Sequence, residues 1–366
     1  MIKRFVECYV PVTACNLRCS YCYVIKQDRR NSHAVRFDYS PECIGRALSP
    51  ERWGGVCFFS MTAPGETLIP KQTVEIAREI LEQGHYVNIT TNGTLSKRFD
   101  EFLAFPVELL ERLHFSFSFH YLELVKMGLL EAFFENIQKI REAGCSFVLQ
   151  LNLCDEYLEH LDEIRNLCIK EVGALPQIAV TRDMDSGRIS IRTKKAIGAY
   201  IQVGQSFDSP LFDFGMKNFG IKRREFCYAG DWSFKLYLHT GELKSCYDSG
   251  FSQNIFNNPK LPIKFQAVGR CCQSPYCVNS THFMALGIIP GLECPSYADL
   301  RDRSGANWYT PIMRTFLDGK LSETNVEYGV CKKLYVNSVG RFAQASRFCE
   351  SWGHRIRRKV ASLGKA

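Results

Sequence analysis

Apolar positions in the first half of the chain switch repeatedly between two periods. Phe5–Val12 is an apolar, strand-like run. Val56–Met61, Tyr86–Thr91, Leu113–Phe119, Cys145–Leu153 and Gln177–Val180 repeat it, the fourth (LHFSFSF) with strict period two. Between them, Lys71–Gln83, Lys97–Leu110, Leu122–Ala143 and Leu158–Glu171 carry apolar residues at helical spacing. Asn92-Gly93 closes the third strand as a turn pair, and Gly144 is placed to cap a helix. About six strand–helix repeats predict parallel strands with crossover helices. Periodicity leaves both an open sheet and a partial barrel available.

After residue 190 the rhythm changes. Ser233–His239, Thr240-Gly241 and Glu242–Cys246 read as a β-hairpin. Turn residues are frequent from Ser206 to Pro311, and cysteines recur at 227, 246, 271, 272, 277 and 294. The expected organisation is a core over residues 1–190, a cysteine-rich unit over 191–338 and a basic terminal helix over 339–366.

Composition narrows the class. Apolar residues make up 46% and charged residues 23%, as in a globular protein. No apolar run approaches the ~20 residues of a membrane span, and the N-terminus has no signal-peptide pattern. A cytoplasmic protein with reduced thiols is expected, so its 17 cysteines favour metal ligation over cross-links. The net charge is +8, and residues 341–366 hold seven basic residues against Glu350. A solvated helix end accounts for that surplus more simply than an acidic partner, and no nucleic-acid-binding motif accompanies it.

The densest chemistry is CNLRCSYCYV, which places Cys15, Cys19 and Cys22 at C-x3-C-x2-C directly after the first strand. Four thiolates would complete a structural zinc or an ordinary 4Fe–4S cluster. Three leave one iron without a protein ligand. A loop at the C-terminal end of a parallel strand is also where such folds bind ligands.

This spacing, with Tyr21 before the third cysteine, resembles the radical S-adenosylmethionine superfamily. The resemblance implies a 4Fe–4S cluster on Cys15, Cys19 and Cys22 whose open iron chelates S-adenosylmethionine. One electron then cleaves the sulfonium, and a 5′-deoxyadenosyl radical abstracts hydrogen from a substrate. It implies a partial (β/α)6 barrel of the α/β class. Ala63-Pro64-Gly65-Glu66-Thr67 resembles the family's GGE segment, with Pro64 replacing its first glycine, and makes Gly65 and Glu66 the contacts for the cofactor's amino group. Thr90-Thr91-Asn92-Gly93 resembles its TNG stretch, and Ser118 and Asn152 fall where the carboxylate or ribose is received. His120 departs from the family's acidic residue at that point.

Cys227-x13-Gly241-x4-Cys246 resembles the opening of the auxiliary-cluster domains called SPASM and twitch, a C-terminal cysteine-rich β-hairpin domain. The later cysteines are too few for two clusters. One auxiliary 4Fe–4S cluster is expected, on Cys227, Cys246, Cys277 and either Cys271 or Cys272, with Cys272 preferred and Cys294 in reserve. Four-thiolate zinc is the competing occupant.

The resemblance implies an oxidoreductase-type enzyme acting on a peptide side chain, by oxidation or cross-linking, or on a carbohydrate or cyclitol, by dehydrogenation or epimerisation. The fourteen residues before Cys15 leave no room for a peptide-recognition domain, so a separate recognition protein is the expected substitute. Flavodoxin or ferredoxin is the expected electron donor. The aromatic and arginine residues of 297–314 are candidates for lining the substrate pocket, and Asp231 and His120 for the proton acceptor. A non-enzymatic iron–sulfur electron carrier or redox sensor is the alternative.

Overall fold

In the computed structural model, which describes residues 1–183, 189–247 and 250–343, the strands form one nine-stranded sheet and a two-stranded ribbon. Six strands pair in chain order: β1 (Arg4–Tyr9), β2 (Cys57–Thr62), β3 (Tyr86–Thr91), β4 (Leu113–Ser118), β5 (Ser146–Leu153) and β6 (Gln177–Val180). Every neighbouring pair among them is parallel. Strands that meet water on neither face read as apolar runs, and β1, β2 and β4 are buried at nearly every position. The ribbon is β7 (Arg182–Asp183) with β8 (Ser190–Ile191).

The expected hairpin is β9 (Ser233–Tyr237) and β10 (Glu242–Lys244), extended by β11 (Ser252–Asn254). It is not detached from the barrel strands. β9 runs parallel to β1, with Phe5 opposite Ser233 and Tyr9 opposite Tyr237, so the sheet continues through β1 into the cysteine-rich half.

Two expected helices are each broken in two. Lys97–Leu110 becomes Ser96–Leu103 and Val107–Leu110, because Pro106 lacks an amide hydrogen and biases Phe105 away from helix. Leu122–Ala143 becomes Tyr121–Lys126 and Leu130–Glu142, with Gly128 at φ +65° between them, a left-handed position that ends a helix. The helix at the C-terminal end covers residues 330–343, and the rest of the expected basic helix lies outside the described residues.

The stretch 297–314 does not line the cavity at the C-terminal ends of the strands. Phe147 N donates to Trp308 O at 2.9 Å, Thr310 N to Ser146 Oγ at 2.9 Å, and Gln177 Nε2 to Arg301 O at 3.4 Å. These bonds lie at the first residues of β5 and β6, so the segment plugs the N-terminal end of the barrel. Its apolar rings, including Tyr297 and Trp308, fill that end as core.

Candidate active site

A cavity of about 570 Å3 opens at the C-terminal ends of β1–β6. The three cysteines of the first loop line it, facing Glu66, Asn92, Ser118, His120 and Asn152. The cysteine loop is fastened to the loop after β2: Gly65 N donates to Val12 O at 2.8 Å and Glu66 N to Ala14 O at 2.9 Å. A Cβ on Gly65 would stand 2.1 Å from Ala14 O, so only glycine permits this approach.

Glu66 is 2% exposed, and its carboxylate is already well supplied with donors. Oε1 accepts from Leu68 N at 2.9 Å and Thr91 Oγ1 at 2.8 Å, and Oε2 from Asn92 N at 2.7 Å. It ties the β2 and β3 loops together, with one lone-pair position left over for a ligand ammonium. Burial raises its pKa, and the three hydrogen bonds oppose that rise.

Asn92 faces the cysteine loop. Its Nδ2 donates to Asn16 Oδ1 at 2.8 Å and to Cys15 Sγ at 3.6 Å. Arg30, absent from the sequence-derived candidates, donates to the carbonyls of Leu17, at 2.7 Å, and Cys15. Both hold the loop from outside, as groups around metal ligands commonly do. Burial, then Cys15 and Cys22, push the Cys19 thiol up to about 12. A thiol of that kind binds a metal as the thiolate, its proton being released to solvent as the metal takes its place.

Among the described residues, no three His, Cys, Asp or Glu side chains are placed to hold one metal ion. A cubane differs from a single ion in this respect, because its thiolates bind separate irons and need not converge on a point. Three cavity-lining thiols without a fourth fit such a group.

The Tyr21 hydroxyl is 2.6 Å from His120 Nδ1 and 3.0 Å from the Tyr157 hydroxyl. Burial lowers the His120 pKa to about 4, so at neutral pH this triad holds a neutral imidazole. Asp231 lies elsewhere. Its carboxylate receives Arg4 Nη2 at 3.5 Å and the Tyr328 hydroxyl at 2.5 Å, beside the first residue of β1 and away from the cavity. It is a structural ion pair, and this placement removes it from the candidates for proton transfer.

The second set of cysteines gathers behind the far wall. Burial raises the pKa of Cys227, Cys246 and Cys277, and for each the charges of other thiols in the set, Cys272 included, add to the rise. Cys277 also lines the cavity. Cys271 turns the other way, its Sγ donating to Asn337 O at 3.3 Å. The charges that act most on Cys294 are those of Lys320, Arg223, Lys217 and Glu293.

Glu7, also missed from sequence, links the two halves. This carboxylate on β1 is 5% exposed and accepts from the Tyr247 hydroxyl at 2.6 Å and Asn279 Nδ2 at 2.6 Å. Tyr247 and Asn279 line the cavity, one residue after Cys246 and two after Cys277. An acidic residue inside a buried parallel strand was the available signal.

A family model of the Radical SAM superfamily matches residues 9–168. Comparison with curated proteins gives no match. Among solved structures, SuiB of Streptococcus suis bound to S-adenosylmethionine is 15% identical with a TM-score of 0.49, covering 70% of this chain and 64% of that one. The alignment thus spans under two thirds of SuiB. anSMEcpe with bound AdoMet and Cp18Cys peptide is 15% identical (TM-score 0.45, 70% and 79% covered). BtrN in complex with AdoMet and 2-DOIA is 15% identical (TM-score 0.37, 70% and 79% covered). Proteins of this superfamily use a 4Fe–4S cluster and S-adenosylmethionine, and the residues at the cavity suit that pair. Over residues 9–168, the chain is similar to the radical SAM superfamily.

Proposed function

We propose that this protein is a radical SAM oxidoreductase acting on a peptide side chain, with one auxiliary 4Fe–4S cluster on Cys227, Cys246, Cys272 and Cys277. The observation that carries the reading is one cavity with Cys15, Cys19 and Cys22 on one wall and Cys277 on another. When bound, the first cluster and S-adenosylmethionine supply a hydrogen-abstracting radical. The chain's own residues hold, orient and seal.

Asn92 and Arg30 keep the cysteine loop in place. The remaining Glu66 lone pair and the backbone at Gly65 receive the cofactor's ammonium, and Ser118 and Asn152 its carboxylate and ribose. Tyr21, Tyr157 and His120 form a buried wall that excludes water from the reacting carbon. Oxidation of a substrate radical releases one electron and one proton. Cys227, Cys246, Cys272 and Cys277 would hold the auxiliary cluster, which would supply an electron acceptor there, and neutral His120, which lines the cavity, is the candidate proton acceptor.

A peptide substrate rests on the resemblance to the auxiliary-cluster group. A carbohydrate or cyclitol in the same cavity is the outcome that would replace it. We place residues 1–190 as the core, 191–338 as the auxiliary unit and the site of action in the cytoplasm. Flavodoxin or ferredoxin is proposed as electron donor, with a separate protein recognising the peptide. No helix among the described residues is long and apolar enough to cross a membrane.

Reconstituted, reduced protein incubated with S-adenosylmethionine tests the reading. It should release 5′-deoxyadenosine, and the Cys22→Ala variant should release none. Silence from the wild-type protein would leave an electron carrier as the better account. Acceleration by a cyclitol but not by a peptide would reverse the substrate assignment.

A further inference from the structure

Beneath the cavity floor lies a buried cation that the fold leaves unbalanced. Arg301 rises from the plug segment and is 0% exposed. Its Nη1 donates to Thr281 O at 3.1 Å and Tyr297 O at 3.5 Å, and its Nη2 faces His282 Nδ1 at 3.2 Å. None of these partners is a carboxylate. Among the described residues, no acid stands within ion-pair distance of it. The neighbouring Asp302 turns to Arg314 at 3.2 Å. A guanidinium cannot shed its proton, and burying one without a counter-charge is unfavourable.

Hydrogen-bonding capacity is left over at the same place. Arg301 Nε, the Tyr297 hydroxyl, the Tyr309 hydroxyl and His114 Nε2 are buried and find no partner among the described residues. The groups fall in two ring pairs, with Tyr309 within electrostatic reach of Tyr297 and Arg301 and His114 within reach of Arg301. The guanidinium carbon is 3.7 Å from the Tyr297 ring centre, the His282 and Tyr297 rings are 5.5 Å apart, and the His114 and Tyr309 rings 4.9 Å. His114 Nδ1 and Ser116 Oγ both donate to Asn88 Oδ1, at 2.7 and 2.9 Å, which leaves His114 Nε2 the one acceptor of the four. Burial holds His114 and His282 neutral, so neither adds charge.

We propose that this enclosure binds a small monovalent anion, a halide or a compact carboxylate, held by Arg301 Nε and the hydroxyls of Tyr297 and Tyr309. The three groups are donors around one net positive charge, and a monovalent anion satisfies both deficits at once. His282 and Thr281, which line the cavity, stand between it and Arg301. The site is distinct from the cysteine-bearing walls and does not depend on the proposed substrate.

The test uses the reconstituted protein. Thermal unfolding is followed as chloride rises from about 5 to about 150 mM, with sodium gluconate holding ionic strength constant, gluconate being too large for the enclosure. The midpoint should rise by roughly 2–4 °C and then saturate. The Arg301→Met variant should lose the dependence. Should it fail to fold, the Tyr297→Phe, Tyr309→Phe double variant should show the same dependence moved to higher chloride. Crystals soaked in sodium bromide should give an anomalous peak within contact distance of Arg301 Nε, and the same soak with acetate in place of bromide shows whether a carboxylate competes. A midpoint equal in the two salts, or density at the site fitting water alone, overturns the proposal.

Discussion

Glu66 shows how a single side chain can be read two ways. From sequence it is an anion awaiting an ammonium, whereas in the fold its carboxylate already bridges Leu68, Thr91 and Asn92. The two roles separate on substitution. Glu66→Gln turns an amide donor toward one of three existing donors. It should cost about 1–3 kcal/mol of stability by denaturant titration, besides any weakening of S-adenosylmethionine binding. Weakened binding with unchanged stability would mean that the carboxylate serves the ligand alone. His85 gives a pH prediction of definite sign. Its Nδ1 accepts from Cys57 N at 3.0 Å and its Nε2 donates to Leu48 O at 2.7 Å, so both nitrogens are used by the neutral ring. Burial lowers its pKa from 6.5 to about 4. As pH falls, the unfolded chain takes the proton first, so stability is lost between pH 6.5 and 4 and this loss ends below 4. His85→Gln should make that slope shallower by about one proton. An unchanged slope would place the titration on His114, His120 or His282 instead.

At the scale of elements, the repeat of strand and helix was legible because each parallel strand is buried on both faces and each helix on one. The breaks at Pro106 and Gly128 were written in the sequence too, yet the apolar spacing continues across them and hides the division. The strand-end residues were legible as a set because the parallel fold gathers successive strand ends at one edge. Asp231 was misread because adjacency to Cys227 in sequence does not fix direction, and its side chain turns back toward Arg4. Glu7 and Arg30 were missed because their partners lie far off in the chain, at Tyr247 and Asn279 for the one and across the cysteine loop for the other. The contact between the two cavity loops makes a prediction at this scale. Gly65→Ala drives a methyl group into the backbone at Thr13 and Ala14, which cannot yield as a side-chain tip would. The cysteine loop should lift from its seat. Iron per chain after reconstitution should then fall by roughly half, to about four, as the first cluster is lost and the second kept. Full iron content in Gly65→Ala would show that the loop does not need this contact.

For the whole molecule, the decisive feature is the pairing of β9 with β1. The strand leading into the first cysteines and the strand beside the second set are hydrogen-bonded neighbours, so both sets ride on one sheet. That arrangement makes the ligand choice at Cys271-Cys272 a question about the frame. Two successive residues point to opposite sides. Here Cys272 joins the electrostatic neighbourhood of Cys227, Cys246 and Cys277, while Cys271 packs on the terminal helix at Asn337 and Gly340. Replacing each in turn separates a ligand from a packing residue. Cys272→Ala should lower the iron of the reconstituted protein from about eight per chain to about four and remove one of two reduced-cluster signals in the electron paramagnetic resonance spectrum. It should leave the basal release of 5′-deoxyadenosine in place, because the first cluster is held elsewhere. Cys271→Ala should keep both signals and lower only the melting temperature, through the packing it loses beneath the terminal helix. The opposite pattern, with iron lost in Cys271→Ala and retained in Cys272→Ala, would require the 271–272 peptide to turn over before a cluster is built. The ligand set would then be a property of the loaded protein, not of the frame.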